Sequence, residues 1–473
     1  MNYGAAVSIG GLQFPDAWDG SALIALDRIQ IDWGRESPYD DAQPATCQVK
    51  ILDRYGDWFS QVSRIGEDVQ IVRTGANSRR VFWGQVTEVE AERVYLMNPQ
   101  TDREEAVWIV TLSVQDKLGM AGGTVVEGPM GYNSYEGSGG WGEAGPVTRA
   151  GQMLDRGALD VFSGGHQIPE DDLPSNVRTT LHGIKGRDSP SVLELLHTIG
   201  RTRPLGAVEY VPSTDLVRRV QYALSTGVRF TRVNGLIVVA GIGSTVVVPA
   251  SSVATEDGYN LTSTVQDAIE SITVTGFYYG RDSLNSDGGI EYKDTTQTRA
   301  VSGSNMGTRN VTVDSSIMSF DESFYPAGQV DNFNRGKPWL SDQMALAARR
   351  LNGWMHYPEL TLNHPVLPDL PAAVADQAID TVTSPSAWYL SGSVYAGITT
   401  VPPQVQMIGG ALTYEAGNWT QKPVLIPAVD GTVGAPPSLS NAALFGNSTA
   451  TWADFDPTVT WADFGNVTQG LSA

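Results

Sequence analysis

The sequence predicts a mainly β protein with a minor α component, which places it in the α+β class. Glycine and proline are plentiful, with 51 and 26 copies among 473 residues. The strand-forming residues Val, Thr, Tyr and Trp recur in short alternating runs, and few segments show helical spacing. A hydrophobic share of 41% is that of a folded protein, and the length allows roughly two to four domains.

The first predicted domain spans residues 1–121 and consists of short strands. Alternating apolar residues predict these strands at 23–34, 45–53, 66–75, 79–94 and 105–119. Within 79–94, Val81 and Trp83 are expected on one face and Phe82 on the other, with Gly84 marking a bulge or bend. This spacing predicts a closed or nearly closed small barrel. The single cysteine, Cys47, is expected to be a buried, inert thiol.

Residues 122–204 form a Gly-rich insert, irregular over 122–146, followed by a helical α+β segment. A helix is expected near 148–159 and a second at 188–202. Asp188 or Ser189 would cap the second helix. Its apolar stripe consists of Val192, Leu195, Leu196 and Ile199.

The rest of the chain returns to strands. Residues 205–340 predict a β-rich middle domain with a polar loop, and 341–427 predict a helix capped by Ser341 plus a second β-barrel region. A calcium loop at 283–294 is less favoured than a plain polar turn. Residues 428–440 have the composition of a linker.

The segment 441–473 contains the motif TWADF twice. We expect this tail to dock on another protein or a neighbouring subunit; a strand of the last domain and a disordered tail are the alternatives. The docking residues would be Trp452, Phe455, Trp461 and Phe464. Trp141, in the Gly-rich insert, is a candidate for stacking on a glycan, because sugars bind aromatic faces.

The charge and motif content argue against several functions. The chain carries 31 basic and 52 acidic residues, a formal net charge of −21, which repels nucleic acid and acidic membranes. An acidic channel wall would let DNA slide without sticking; plain solubility is the alternative. Five dispersed histidines and one cysteine make a zinc site improbable. No cofactor, enzymatic activity, signal peptide or membrane insertion is expected.

The order of motifs in the first domain resembles the opening of minor tail proteins of long-tailed phages that infect actinobacteria. The motifs are a Trp-Gly-Arg strand end at 33–35, a Pro-Ala-Thr strand start at 44–46 and the strand at 79–94. Segments 189–201, 341–354 and 410–426 fit the middle and end of the same family. The chain also resembles, more loosely, the central hub of contractile baseplates and secretion spikes.

The resemblance implies a tail-tip hub with two small tube-type β-barrels in each subunit and peripheral α+β domains. A homotrimer would then present six barrels to a sixfold tube and gate the exit of DNA and the tape measure protein. Implied partners are the distal tail protein ring, the tape measure protein, other minor tail or fibre proteins and phage DNA, which passes without sequence-specific binding. The location would be the distal tail tip of a virion assembled in the host cytoplasm. A receptor-binding or wall-carbohydrate-binding tail protein is the alternative, and a wall-degrading enzyme is less favoured.

Overall fold

A computed structural model gives the fold of the chain. It describes residues 4–14, 22–60, 62–75, 78–132, 136–168, 173, 176–221, 229–233, 236–240, 246–249, 253–254, 268–281, 290–301, 309–321, 327–351, 361–363, 387–391, 404–415 and 417–427. The predicted linker 428–440 and tail 441–473 therefore lie outside the described residues, as does most of the polar turn at 283–294. The predicted domain boundaries stay predictions.

The N-terminal part of the chain forms the five strands that alternation predicts, and two short strands that it does not predict precede them. They are β1 (Ala5–Ile9), β2 (Leu12–Phe14), β3 (Ile24–Gly34), β4 (Gln43–Asp53), β5 (Asp68–Arg73), β6 (Arg79–Asn98) and β7 (Arg103–Asp116). Two short helices accompany them, α1 (Asp57–Ser60) and α2 (Lys117–Gly123). Cys47 is buried on β4, and burial raises the pKa of its thiol well above the usual range, which confirms the inert cysteine.

The expected facing of β6 is wrong at one residue. Val81 is buried together with Phe82, because the β5–β6 register shifts between Ile71 and Val72 and puts Val81 on the core side. A second shift, in the β6–β7 ladder, lies between Val86 and Glu88. Gly84 sits between these bulges, where an added Cβ would come within 2.1 Å of the Gln115 carbonyl oxygen.

Two C-terminal strands, β20 (Gln404–Glu415) and β21 (Asn418–Pro427), extend this same sheet. Strand β20 pairs antiparallel with β3, which gives the order β21-β20-β3-β4-β7-β6-β5-β1-β2. The sheet curls, since Trp419 Nε1 donates to the Gly4 carbonyl oxygen at 3.3 Å and shares a core with Val7 and Ile71. Among the described strands, no ladder closes the curl into a barrel.

Of the remaining described strands, four join the large sheet next to β20 and β21, and the others form smaller sheets. The strands are β8 (His166–Gln167), β9 (Gly206–Val211), β10 (Leu216–Gln221), β11 (Arg229–Val233), β12 (Leu236–Ala240), β13 (Val246–Pro249), β14 (Val253–Ala254), β15 (Ile269–Arg281), β16 (Ile290–Ala300), β17 (Arg309–Phe320), β18 (Thr361–Asn363) and β19 (Ala387–Ser391). The helices are α3 (Pro146–Asp155), α4 (Val192–Gly200), α5 (Ala327–Asn334) and α6 (Gly336–Leu351). Strands β16, β15 and β17 form one sheet, and α6 packs on it. Among the described helices, none has the length and apolarity to cross a membrane.

Both predicted helix caps are wrong, although the helices exist. Helix α4 is capped by Ser191, whose side chain accepts from Glu194 N at 3.1 Å, while Ser189 ends a preceding 3₁₀ turn in the left-handed region. The predicted apolar stripe of α4 is fully buried. Helix α6 begins at Gly336, five residues before Ser341. Pro338 falls in its first turn, where proline is tolerated. Ser341 instead donates to the Pro338 carbonyl oxygen at 2.9 Å.

Candidate functional site: a polar sheet face and its edge

The curled sheet has one apolar and one polar surface. The apolar side chains of β3, β4, β6, β7 and β20 point into the shared core, whereas their alternate neighbours point away from it. We call this second surface the polar face. It comprises Arg28, Gln30 and Asp32 on β3, Thr46, Gln48 and Lys50 on β4, Thr111, Ser113 and Gln115 on β7, Glu88, Glu90 and Glu92 on β6, and Thr413 and Glu415 on β20.

Side chains on the polar face bond to one another along and across strands. Arg28 Nη2 donates to Gln30 Oε1 at 3.4 Å, and Gln30 Nε2 donates to Asp32 Oδ2 at 3.2 Å. Arg28 also lies 4.0 Å from the carboxylate of Glu415 on the neighbouring strand. These exposed contacts contribute little to stability, so their consequence is a continuous hydrophilic surface.

Acidic residues concentrate on the β6 side of the polar face. Glu88, Glu90 and Glu92 are exposed and follow one another at strand period. Their cross-strand neighbours on β7 are Ser113, Thr111 and Ile109, none of which carries a charge. The negative potential of this row is therefore not cancelled by the adjacent strand.

The same stretch of β6 presents an edge for pairing. Residues 88–97 pair with β7 on one side, while the ladder to β5 on the other side ends at Gln85. Among the described strands, none occupies this side of residues 88–97, which we call the β6 edge. At strand rise the edge is roughly 30 Å long. An edge of this length is a template for pairing with another chain unless it is covered.

Exposed apolar side chains lie at the end of the sheet from which β6 and β7 project. Tyr95 and Met97 on β6 are 71% and 55% exposed, and Leu23 and Tyr55 at the ends of β3 and β4 are 58% and 63% exposed. Gly56, which follows Tyr55, lies against the indole of Trp108 on β7. Trp108 points to the same face of the β6–β7 ladder as Tyr95. We call Leu23, Tyr55, Tyr95 and Met97 the apolar end. A contiguous patch of exposed apolar groups is a candidate contact site.

The loop between β3 and β4 anchors the sheet to the rest of the molecule. Asp41 pairs with Arg201, whose Nε lies 3.0 Å from both carboxylate oxygens, and His197 Nδ1 lies 3.6 Å from Asp41. Burial lowers the pKa of His197, although the Asp41 charge opposes this. Arg35 is buried beneath the loop and reaches the Leu205 carbonyl oxygen at 3.2 Å. These contacts hold Asp41 against other residues of its own chain.

A second junction is a buried polar network around Asp215. Lys117 Nζ lies 2.7 Å from Asp215 Oδ2, and the Tyr210 hydroxyl donates to Oδ1 at 2.7 Å. Ser163 donates to the same carboxylate through its backbone N–H at 2.9 Å and through its hydroxyl. Burial raises the pKa of Asp215, but the hydrogen bonds from Lys117, Ser163 and Tyr210 outweigh it and lower the pKa overall. This network is a structural link between α2 and the β9–β10 hairpin.

Trp141, the glycan-stacking candidate, lies in the core of the α2–α3–α4 unit. Its side chain is 0% exposed, and its backbone bridges to Ile184. The indole therefore offers no exposed face to a sugar in this structure. The predicted docking residues Trp452, Phe455, Trp461 and Phe464 lie outside the described residues. Among the described residues, no group of His, Cys, Asp and Glu side chains could hold a metal ion.

Comparison with known proteins gives distant structural likenesses. No protein-family model matches the chain, and no curated protein matches its sequence. The fold is similar to three solved tail or secretion proteins. The 43 kDa tail protein of prophage MuSo2 from Shewanella oneidensis has a TM-score of 0.46 at 11% identity, covering 90% of this chain and 98% of that one.

The other two likenesses are weaker. An E. coli component of the type VI secretion system, described as structurally similar to T4 bacteriophage tail proteins gp27 and gp5, has a TM-score of 0.40 at 8% identity, covering 89% of this chain and 76% of that one. Prophage tail protein gp18 from Listeria monocytogenes EGD-e has a TM-score of 0.36 at 11% identity, covering 89% and 94%. Likenesses at this distance do not define function, and the narrower resemblance to actinobacteriophage proteins stays a prediction.

Proposed function

We infer that the chain is a structural virion protein, a homotrimeric hub that closes the distal end of a phage tail tube. The observation that carries this proposal is the polar face, which spans β6, β7, β4, β3 and β20 and is acidic beside the β6 edge. Its sequence support is the motif order of the first domain. The proposed role is structural and non-enzymatic.

The chemistry of the polar face suits the wall of a channel for DNA. Glu88, Glu90 and Glu92 repel phosphates, so a passing duplex would not adhere to a wall that carries them. Uncharged Thr and Ser side chains of β7 would keep the rest of this wall hydrated. We propose that the polar face lines the lumen through which DNA and the tape measure protein leave.

The β6 edge and the apolar end suit contacts between subunits. In a closed ring, neighbouring subunits meet head to tail, so one surface of each subunit contacts a different surface of the next. The β6 edge of one copy would therefore meet a surface other than the β6 edge of its neighbour. Such a ring removes the aggregation hazard of an uncovered edge. We propose that each subunit supplies two barrel-like units, one built on the curled sheet, which would match a sixfold tube. Further proposed partners are the distal tail protein ring and fibre proteins.

The test is the symmetry and orientation of the chain in an assembled particle. Mass photometry of the purified full-length protein should show a species about three times the 50.7 kDa chain mass. Cryo-electron microscopy of particles should place it on a threefold axis at the distal tip, with the polar face toward the axis. A sixfold position, or a polar face directed away from the axis, would contradict the proposal.

The alternative receptor-binding function loses its first candidate residue, because Trp141 is buried. The aromatic tail can still be tested as a docking segment. We propose that it holds another tail protein or a neighbouring subunit through Trp452, Phe455, Trp461 and Phe464.

A further inference from the structure

The described residues enclose a cleft that neither the polar face nor the apolar end uses. It has a volume of about 370 Å³, and four elements line it: the β3–β4 loop, the turn between α4 and β9, the exposed surface of β17, and Met344 of α6. This volume is at the lower end of the range for ligand pockets, which suits a small ligand or one unit of a larger one.

The walls of the cleft are held in place by buried charged groups. Arg35 Nη1 donates to the carbonyl oxygens of Pro38 and Asp40, both at 3.0 Å, and Arg35 Nη2 donates to that of Leu205. The pairing of Asp41 with Arg201 ties the same loop to the end of α4. The loop and the turn therefore form one rigid wall, and a ligand would lose little affinity to ordering it.

The lining contains both hydrogen-bond donors and acceptors. Gln43 and Arg201 supply donors, Asp40 and Asp314 supply carboxylate acceptors, and the Thr312 hydroxyl is both. The lining contains two arginines, Arg201 and Arg203. It also contains the carboxylates Asp40, Asp41 and Asp314, so the cleft has no excess of positive charge to select a phosphate or sulfate. A lining of mixed donors and acceptors is complementary to hydroxyl groups, each of which donates and accepts.

Tyr39 adds an aromatic ring to this lining. Its hydroxyl is buried and has no hydrogen-bond partner among the described residues. Burial raises the pKa of Tyr39 above its ordinary value, so the phenol remains protonated and can donate.

A row of small polar side chains leads away from the cleft across the exposed face of the β16–β15–β17 sheet. Thr275 donates to Asp314 at 3.1 Å, Thr273 shares a hydrogen bond with Thr298 at 3.0 Å, and Ser271 donates to Asn310 at 2.6 Å. This row would supply further hydroxyl contacts to a ligand longer than the cleft.

We propose that the cleft binds one unit of a neutral saccharide, with Asp314 and Thr312 as hydrogen-bonding groups and Tyr39 as the aromatic wall. A sugar ring matches the lining in three respects: it is uncharged, its hydroxyls both donate and accept, and its apolar face stacks on aromatic rings. The site goes beyond the proposed hub function and does not depend on trimer formation.

Saturation-transfer NMR and calorimetry on the full-length protein would test this site. The probes are maltotriose, cellotriose, mannotriose and tri-N-acetylchitotriose, with sialyllactose as an anionic probe and arginine amide as a cationic one. We expect at least one neutral trisaccharide to bind at an affinity that salt does not change. Asp314→Ala should weaken that binding about tenfold or more, the effect of losing one charge-assisted hydrogen bond.

The matched control is Glu104→Ala, which removes a carboxylate that is also exposed, on the β6–β7 hairpin, and should leave binding unchanged. Circular dichroism melts would show that both variants fold. The proposal is overturned if no neutral trisaccharide binds at millimolar concentration, if Asp314→Ala binds as the parent does, or if only sialyllactose or arginine amide binds. A monomeric chain that binds a trisaccharide would contradict the hub but not this site.

Discussion

At the residue scale, Asp116 is the clearest case of a buried group with an energetic consequence. Its side chain caps α2 by accepting from Gly119 N at 3.0 Å, yet the residue is almost fully buried. Burial raises the pKa of Asp116 to about 7, although backbone hydrogen bonds from Gly119, Ala45 and Leu118 oppose the shift. The carboxyl group therefore binds a proton in the folded state at pH values where it is ionised in the unfolded chain.

The sign of the resulting pH dependence follows from proton linkage. Because the folded-state pKa of Asp116 lies above the unfolded one, its contribution to the free energy of unfolding falls as pH rises from about 4 to about 7, then stays constant. Asp116→Asn keeps a capping acceptor but cannot ionise. We expect this variant to gain stability relative to the parent between pH 5 and pH 8, measured by urea denaturation at both values.

A control for the Asp116 prediction is Asp102→Asn, since Asp102 is an exposed residue of the β6–β7 turn. The change in stability between pH 5 and pH 8 should be larger for Asp116→Asn than for this control. An Asp116→Asn difference that is independent of pH would show that Asp116 stays ionised in the folded protein.

At the element scale, the attachment of β20 to β3 depends on two glycines that face each other. Gly34 has a φ of +82°, and an added Cβ would lie 2.4 Å from both Gly409 Cα and the Ile408 carbonyl oxygen. Both of these are backbone atoms, so no side-chain movement can relieve the contact. The Trp-Gly-Arg motif that carries part of the family resemblance thus has a physical role here: its glycine permits close approach of the two strands.

Gly34→Ala should therefore loosen β20 and β21 from the sheet. The matched control is Gly11→Ala, because Gly11 has a similar φ of +84° but nothing within 4 Å of an added Cβ. The control should cost about 1 kcal/mol through backbone strain alone. We expect Gly34→Ala to cost clearly more and to expose β20 and β21 to hydrogen exchange. If thermal denaturation shows equal losses of stability for the two variants, backbone strain alone, and not the close approach of β3 and β20, accounts for the glycine at position 34.

The same elements show how far the sequence could predict this fold. Period-two alternation located β3 to β7, and the apolar stripe of α4 was predicted correctly, because both patterns are local. The pairing of β20 with β3 joins segments some 375 residues apart, and no local pattern encodes it. The sequence does not place the cap of α4, because Asp188, Ser189 and Ser191 are all suitable capping residues. The backbone conformation decides it, since Ser191 is the residue directly before the first helical turn.

The candidate site was less accessible to sequence reasoning than the fold. Alternation in β6 indicated that Glu88, Glu90 and Glu92 share a face, but not that the edge beside them is uncovered among the described strands. The Gly-rich surroundings of Trp141 are typical of a surface loop and therefore suggest an exposed indole. In the structure this segment folds over the Trp141 side chain and buries it. Gly128 and Gly140 lack a Cβ, so their backbones can approach each other closely there.

At the scale of the whole molecule, the proposed ring makes a prediction about the apolar end. Tyr95 and Met97 are exposed in the single chain but would be covered if the β6–β7 hairpin reaches a neighbouring subunit. Replacing both with glutamate places charge in that contact, which is costly to desolvate without a partner. Because neither side chain is buried in the subunit, Tyr95→Glu/Met97→Glu should leave the melting temperature of the isolated chain nearly unchanged.

The expected result is therefore a loss of trimer without a loss of fold. Mass photometry should shift the variant to the mass of one chain, while circular dichroism should match the parent. Tyr132→Glu is the matched control, since Tyr132 is an exposed aromatic residue that belongs to the Gly-rich insert and not to the hairpin, and should leave the trimer intact. If the double variant assembles as the parent does, the hairpin is not the contact, and the subunits of the proposed hub must meet through another surface.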